Sequence, residues 1–193
     1  MTRSALAVVL LVLLLAGCGG DSNSSEGSQT PTTACEPLSG ATLGKKLSPP
    51  HRETMFLTDV EVDIEDCVER ITFKFKESES GPGYDFSYQP PEVAKIQDGS
   101  GDPVAIAGAD FLVVRMFPAM TAEIDGEDVN QTYTGPRNIP APVEARMIRE
   151  VAQTGDFEAQ VTWAIGLDNP HPFTVTASND ELVVEVSAVS ATS

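Results

Sequence analysis

From residue 56 onward, apolar and polar side chains alternate with a period of two over much of the chain. Between Phe56 and Glu65, Val60, Val62 and Ile64 fall on one face, while Asp59, Glu61, Asp63 and Glu65 fall on the other. That pattern predicts a strand with one side buried and one side in water. Ile71, Phe73 and Phe75 then alternate with Thr72, Lys74 and Lys76, which predicts a second strand. In a hairpin its lysines would pair with the acids of the first. Tyr84, Phe86 and Tyr88 repeat the pattern up to Pro90-Pro91, where the missing N–H groups end it.

Asp98-Gly99-Ser100-Gly101-Asp102 reads as a turn, because glycines supply positive φ and aspartates bond nearby backbone. Apolar runs follow at Val104 to Ala107 and Phe111 to Phe117, the second long enough for a core strand. Glu123 to Asp128 reads as an acidic loop, and Tyr133-Thr134-Gly135-Pro136 as a further turn. Val161, Trp163 and Ile165 alternate, as do Phe173, Val175 and Ala177, then Leu182, Val184 and Val186. Trp163, in phase with its apolar neighbours, reads as core. Glu144 to Gln153 is ambiguous. It is rich in helix formers, yet Ile148 to Gln153 followed by Thr154-Gly155-Asp156 and a clear strand also suits a hairpin, and strand is the reading adopted. Short strands punctuated by Gly and Pro predict an all-β fold, an antiparallel sandwich or small barrel.

The first residues follow another pattern. Arg3 precedes an unbroken apolar run from Ala5 to Ala16, of signal-peptide length and shorter than the roughly 20 residues that span a bilayer. It ends in Leu15-Ala16-Gly17-Cys18, which resembles the bacterial lipobox. The resemblance implies a signal peptide at 1–17, cleavage before Cys18 and a diacylglyceryl group on its thiol. Acyl chains of the palmitate type would then hold the protein at the extracytoplasmic face of the cell membrane, since two chains anchor stably where one is marginal. Residues 18–34 read as that cysteine and a Gly/Ser/Thr-rich tether with a root-mean-square reach of roughly 20 to 24 Å.

With 193 residues, the chain has room for one folded domain, placed at 35–193. Its 29 acids against 12 bases give a net charge of -17. Such a surface repels phosphates and excludes nucleic acid as a natural partner. Setting Cys18 aside leaves Cys35 and Cys67. An even number in an oxidising compartment predicts a disulfide between them. A catalytic thiolate is disfavoured there because Glu36 and Asp66 sit beside the sulfurs.

Three blocks carry a resemblance: DGSGDPVAIAGADFLVVRMFPA from Asp98, YTGPR at Tyr133 to Arg137, and GDFEAQVTWAIGLDNPHPFTV from Gly155. In this order they resemble the AMIN-like domain of actinobacterial lipoproteins, over about residues 57–186. The resemblance implies a relation to the AMIN domain, a β-sandwich at the amino terminus of peptidoglycan amidases that localises them in the envelope. It brings no catalytic residue and no defined ligand. The Cys35 and Cys67 pair departs from simpler members.

Candidate chemistry is sparse. His51 and His171 lie beside prolines in expected exposed loops, without metal-ligand spacing. No G-x-S-x-G elbow or phosphate loop is present. Paired carboxylates would suffice for a glycosidase, and Asp98 to Asp102 or Glu123 to Asp128 offers oxygens to calcium without the spacing of a calcium loop. Tyr133 and Arg137 flank a Gly-Pro turn, where side chains often reach outward, and are the binding candidates. The expectation is a non-catalytic envelope module that binds cell-wall polymer, such as peptidoglycan, or an envelope protein, with no cofactor or metal. The alternatives are a carboxylate- or metal-dependent hydrolase of wall glycans and a carrier of a small apolar ligand.

Overall fold

The computed structural model describes residues 35–49, 51–65 and 67–189. The expected signal peptide at 1–17, the lipid on Cys18 and the tether at 18–34 lie outside the described residues. No helix among the described residues is long and apolar enough to cross a membrane.

In chain order the strands are β1 (Lys46–Leu47), β2 (Met55–Glu65), β3 (Val68–Phe75), β4 (Tyr84–Gln89), β5 (Asp110–Met116), β6 (Ala119–Met120), β7 (Ala122–Asp125), β8 (Asp128–Gln131), β9 (Asn138–Pro140), β10 (Ile148–Phe157), β11 (Gln160–Leu167), β12 (Phe173–Ala177) and β13 (Glu181–Ser187). A helical turn, α1 (Pro91–Ala94), lies between β4 and β5. Six strands form one sheet in the order β1-β4-β5-β11-β10-β9, five form another in the order β12-β13-β3-β2-β6, and β7 pairs with β8. Neighbours run antiparallel, apart from the short parallel pairing of β2 with β6. The fold is therefore the antiparallel sandwich expected from the alternation.

The two sheets meet through residues of matching parity. Ile71, Phe73 and Phe75 of β3 face Trp163 and Ile165 of β11 in one continuous core. The Phe73 and Trp163 rings pack edge to face with centroids 5.9 Å apart. Burying such a side chain stabilises the fold by roughly 1.5 to 3 kcal/mol. β11 is buried on both faces, because residues around Ala94 and Ile106 cover the outside of its sheet against Ala152 and Ala164. Its second face is consequently small: Thr162, Ala164 and Gly166. A side chain at Gly166 would collide with the Ala107 carbonyl.

Several expectations change. The strict alternation of β2 holds only from Asp59, because a bulge lies between Leu57 and Asp59. It switches parity, so Met55 and Leu57 join Val60 in the core and Phe56 does not. The β10–β11 turn is not at Thr154-Gly155-Asp156, which lies inside β10 beside a second bulge. The chain reverses at Glu158 and Ala159, with φ of 52° and 57°. This two-residue hairpin geometry normally favours Asn and Gly. The acidic segment Glu123 to Asp128 belongs to the β7–β8 hairpin rather than to a loop. Strand now runs from Ile148, which resolves the ambiguous segment.

The sandwich has two contrasting edges. At one, the leading segment closes the gap: Thr42 exchanges backbone hydrogen bonds of 3.1 and 3.0 Å with Phe173 of β12, and β1 then pairs with β4 of the other sheet. Phe173 packs on Phe86 and Tyr88 across the two sheets. The Tyr88 hydroxyl donates to the His171 carbonyl at 2.6 Å and accepts from the His171 N–H at 2.8 Å. His171 is therefore no exposed loop histidine; its ring is half-buried and its Nε2 lies 2.8 Å from Asp168. His51 is half-buried as well. The same leading segment begins at Cys35, bonded to Cys67 in the β2–β3 turn, with an S–S length of 2.09 Å and Cα atoms 5.4 Å apart. At the opposite edge, β2 and β9–β10 leave open clefts.

Candidate functional site

A polar cleft of about 310 Å³ is lined by Thr121, Gln131, Tyr133, Arg137, Gln153 and Asp156. Its floor comes from β10. Val151 points into the core, and by the period of two Gln153 points the same way, opposite Trp163. The bulge at Thr154 then resets the phase, so Asp156 reaches the same cleft. Asp156 is positioned by a hydrogen bond from the Thr121 hydroxyl.

The wall comes from the turn after β8. Tyr133 does not reach outward as expected: it is only 7% exposed. Its ring stands edge-on to Trp163, with centroids 5.6 Å apart, because an aromatic side chain gains more from this apolar contact than from water. Its hydroxyl donates to the Pro136 carbonyl at 2.7 Å. The turn folds so tightly over the phenol that a side chain on Gly135 would sit 2.6 Å from that hydroxyl. Burial, and then the charge of Asp59, push the phenol up to about 12. Arg137 is exposed, and its carbonyl accepts from the Gln153 N–H at 2.7 Å. The two expected binding residues thus border one cleft in different ways, Tyr133 as a buried wall and Arg137 as a surface cation.

Two features of the cleft suit ligand recognition. Gln153 is 7% exposed, yet its side-chain amide has no hydrogen bond among the described residues while lining the cleft. Arg137 has no ion pair among the described residues, in a chain of net charge -17. An amide that opens onto a cleft without a protein partner is free to exchange water for a ligand's hydrogen bonds. Gln153 was not among the residues expected from the sequence, although a polar residue two positions after Val151 on a core-facing parity was a signal for it. Asp156 carried no such signal, because the bulge hides its direction.

A second cleft, of about 490 Å³, is bordered by Val62, Ile64, Glu69, Pro142, Glu144 and Arg146. Glu69 is 1% exposed and is fully engaged. Its carboxylate accepts from the successive N–H groups of Arg146, Met147 and Ile148 and pins the loop that leads into β10. This arrangement is structural: it satisfies a buried charge with oriented backbone dipoles.

Other candidates are not assembled for chemistry. The Asp98 carboxylate accepts from the Thr162 hydroxyl at 2.6 Å, and Glu123 pairs with Lys76 at 2.6 Å. Among the described residues, no group of three or more His, Cys, Asp or Glu converges on a metal position. Both clefts are open and bear charged groups, unlike the enclosed apolar chamber that a carrier requires.

The family model of the AMIN-like domain matches residues 55–188. No curated protein and no solved structure matches the chain.

Proposed function

The chain belongs to the AMIN-like domain family, and from that premise we propose a non-catalytic envelope module that binds cell-wall polymer through the cleft at Arg137 and Gln153. Lipid on Cys18 holds it at the outer face of the membrane, and residues 18–34 give it reach toward the wall. The observation that carries the reading is the Gln153 amide, without a hydrogen-bond partner among the described residues and facing an open cleft beside an unpaired arginine. Peptidoglycan offers acetamido groups and hydroxyls to an amide, and peptide carboxylates to a guanidinium. The Thr121–Asp156 pair adds acceptors for sugar hydroxyls. The edge of Tyr133 supplies an apolar wall.

Co-sedimentation of the full chain, in detergent, with purified sacculi tests this. The wild-type chain is expected to be retained, and Arg137→Ala and Gln153→Ala each to weaken retention by about tenfold, the loss of one charge-assisted or buried hydrogen bond. Absence of retention, or equal retention of the double variant with its fold intact, would overturn the assignment.

A further inference from the structure

The outer side of β2 carries an independent feature. β2 pairs with β3 along its length, but its other side meets β6 only at Met55 and Phe56. Beyond the bulge, the Val60 N–H is taken by the neighbouring Asp59 carboxylate at 2.9 Å, so it points away from β3. In an antiparallel ladder the direction alternates along the strand, and Val62 and Ile64 therefore present their N–H and C=O groups outward with Val60. No backbone hydrogen bond among the described residues reaches Val62 or Ile64 from that side. These same two residues border the larger cleft, whose far wall is Pro142, Glu144 and Arg146. An unpaired edge opening onto a groove is the arrangement that accepts an added strand.

Charge selects the occupant. The solvent face of β2 presents Asp59, Glu61, Asp63 and Glu65. From the β3 side, Lys74 reaches Glu61 at 2.6 Å and Arg70 reaches Glu65 at 2.8 Å, while Asp59 and Asp63 have no ion pair among the described residues. A second copy pairing along β2 would set these acids against one another, which cross-strand electrostatics disfavours. A strand with lysines at alternate positions would meet Asp59 and Asp63 and keep its backbone against Val62 and Ile64.

We propose that the outer edge of β2 is a docking site where an extended, lysine-bearing segment of a protein partner adds as a sixth strand to the β12-β13-β3-β2-β6 sheet. The groove beside this edge shares no lining residue with the Arg137 cleft, and the docking does not depend on wall binding.

The test is amide hydrogen exchange of the full chain, in detergent, with the capped peptide Thr-Lys-Val-Lys-Val-Lys-Thr. At about ten times its Kd, exchange at Val62 and Ile64 is expected to slow by about tenfold, and affinity is expected to fall as salt rises. A peptide with glutamates for lysines should give no slowing, and N-methylation of alternate amides should abolish it. Val62→Pro removes an outward N–H without touching the β3 ladder and is expected to weaken binding by at least about tenfold. The proposal is overturned if millimolar peptide leaves both amides unprotected. Equal protection by the N-methylated peptide would do the same even if the proline variant does not fold. Concentration-dependent protection without peptide would assign the edge to self-association and also overturn it.

Discussion

The two edges of the sandwich solve the same problem in opposite ways. At the β1–β12 edge, residues before β2 bridge both sheets, and aromatic rings fill the seam. At the β2–β9 edge, no segment among the described residues bridges the sheets along Val60–Ile64, and polar side chains line the gap. On the proposed function, the difference teaches that stability and recognition are separated in space. The closed edge carries bonds that span its seam, as in the mutual Tyr88–His171 pair, whereas the open edge holds an unpartnered Gln153 amide and free β2 backbone groups. Residues at the first should matter for folding, and residues at the second for binding.

Breaking the closed edge should have the largest effect on stability. Phe173 is fully buried, and Phe173→Ala is expected to cost about 3 to 5 kcal/mol in urea unfolding. On the open side, Arg137→Ala should stay within about 0.5 kcal/mol in the same assay. A similar loss for both would dissolve the distinction. Next comes the staple on the leading segment: Cys35→Ser with Cys67→Ser opens a loop with a sequence separation of 32. It is expected to cost roughly 3.5 kcal/mol on the chain-entropy model, and to raise hydrogen exchange at Thr42 and Phe173 before it does so in β10.

The smallest effects lie in pH. Tyr88 at the closed edge and Tyr133 at the open edge are both pushed up to about 12, chiefly by burial. In Tyr88 the His171 backbone bond opposes this rise and the Asp110 charge adds to it. On balance the fold favours the neutral phenol in both, so this contribution is intact below the ordinary value of 10.0 and is lost as pH rises toward about 12. Ultraviolet titration should show two late tyrosinate steps, and Tyr88→Phe should remove one. Asp168, paired with His171, adds an acid-side dependence. Burial raises its carboxyl, but the hydrogen bond and charge of His171 outweigh that and hold it below 3.8. Its contribution is present above that value and is lost as pH falls through the lower folded one. Asp168→Asn should flatten that part of the urea midpoint against pH.

Much of the fold was legible because strand periodicity is a local property. Val60, Val62 and Ile64, or Leu182, Val184 and Val186, declare their faces without knowledge of a partner. The misreadings came where one residue altered the phase or the turn chemistry was atypical. The bulges at Thr58 and Thr154 shifted the register, and Glu158-Ala159 formed a tight turn without glycine or asparagine. The site was only half legible for the same reason. Arg137 declared itself as a surface cation, and the polar Gln153 stood on an apolar parity. Asp156, and the inward turn of Tyr133, depended on contacts with residues distant in the chain.

Alone, the sequence determined an acidic all-β domain, its main core residues and the pairing of Cys35 with Cys67, because side-chain period and cysteine number need no long-range information. Tertiary structure decided which edge of the sandwich is closed and which is open. It also decided that Tyr133 walls a cleft rather than projecting from it, and that Val62 and Ile64 keep free backbone groups. Those outcomes depend on strand order, which is set by packing between segments far apart in sequence and leaves no mark on the residues nearby.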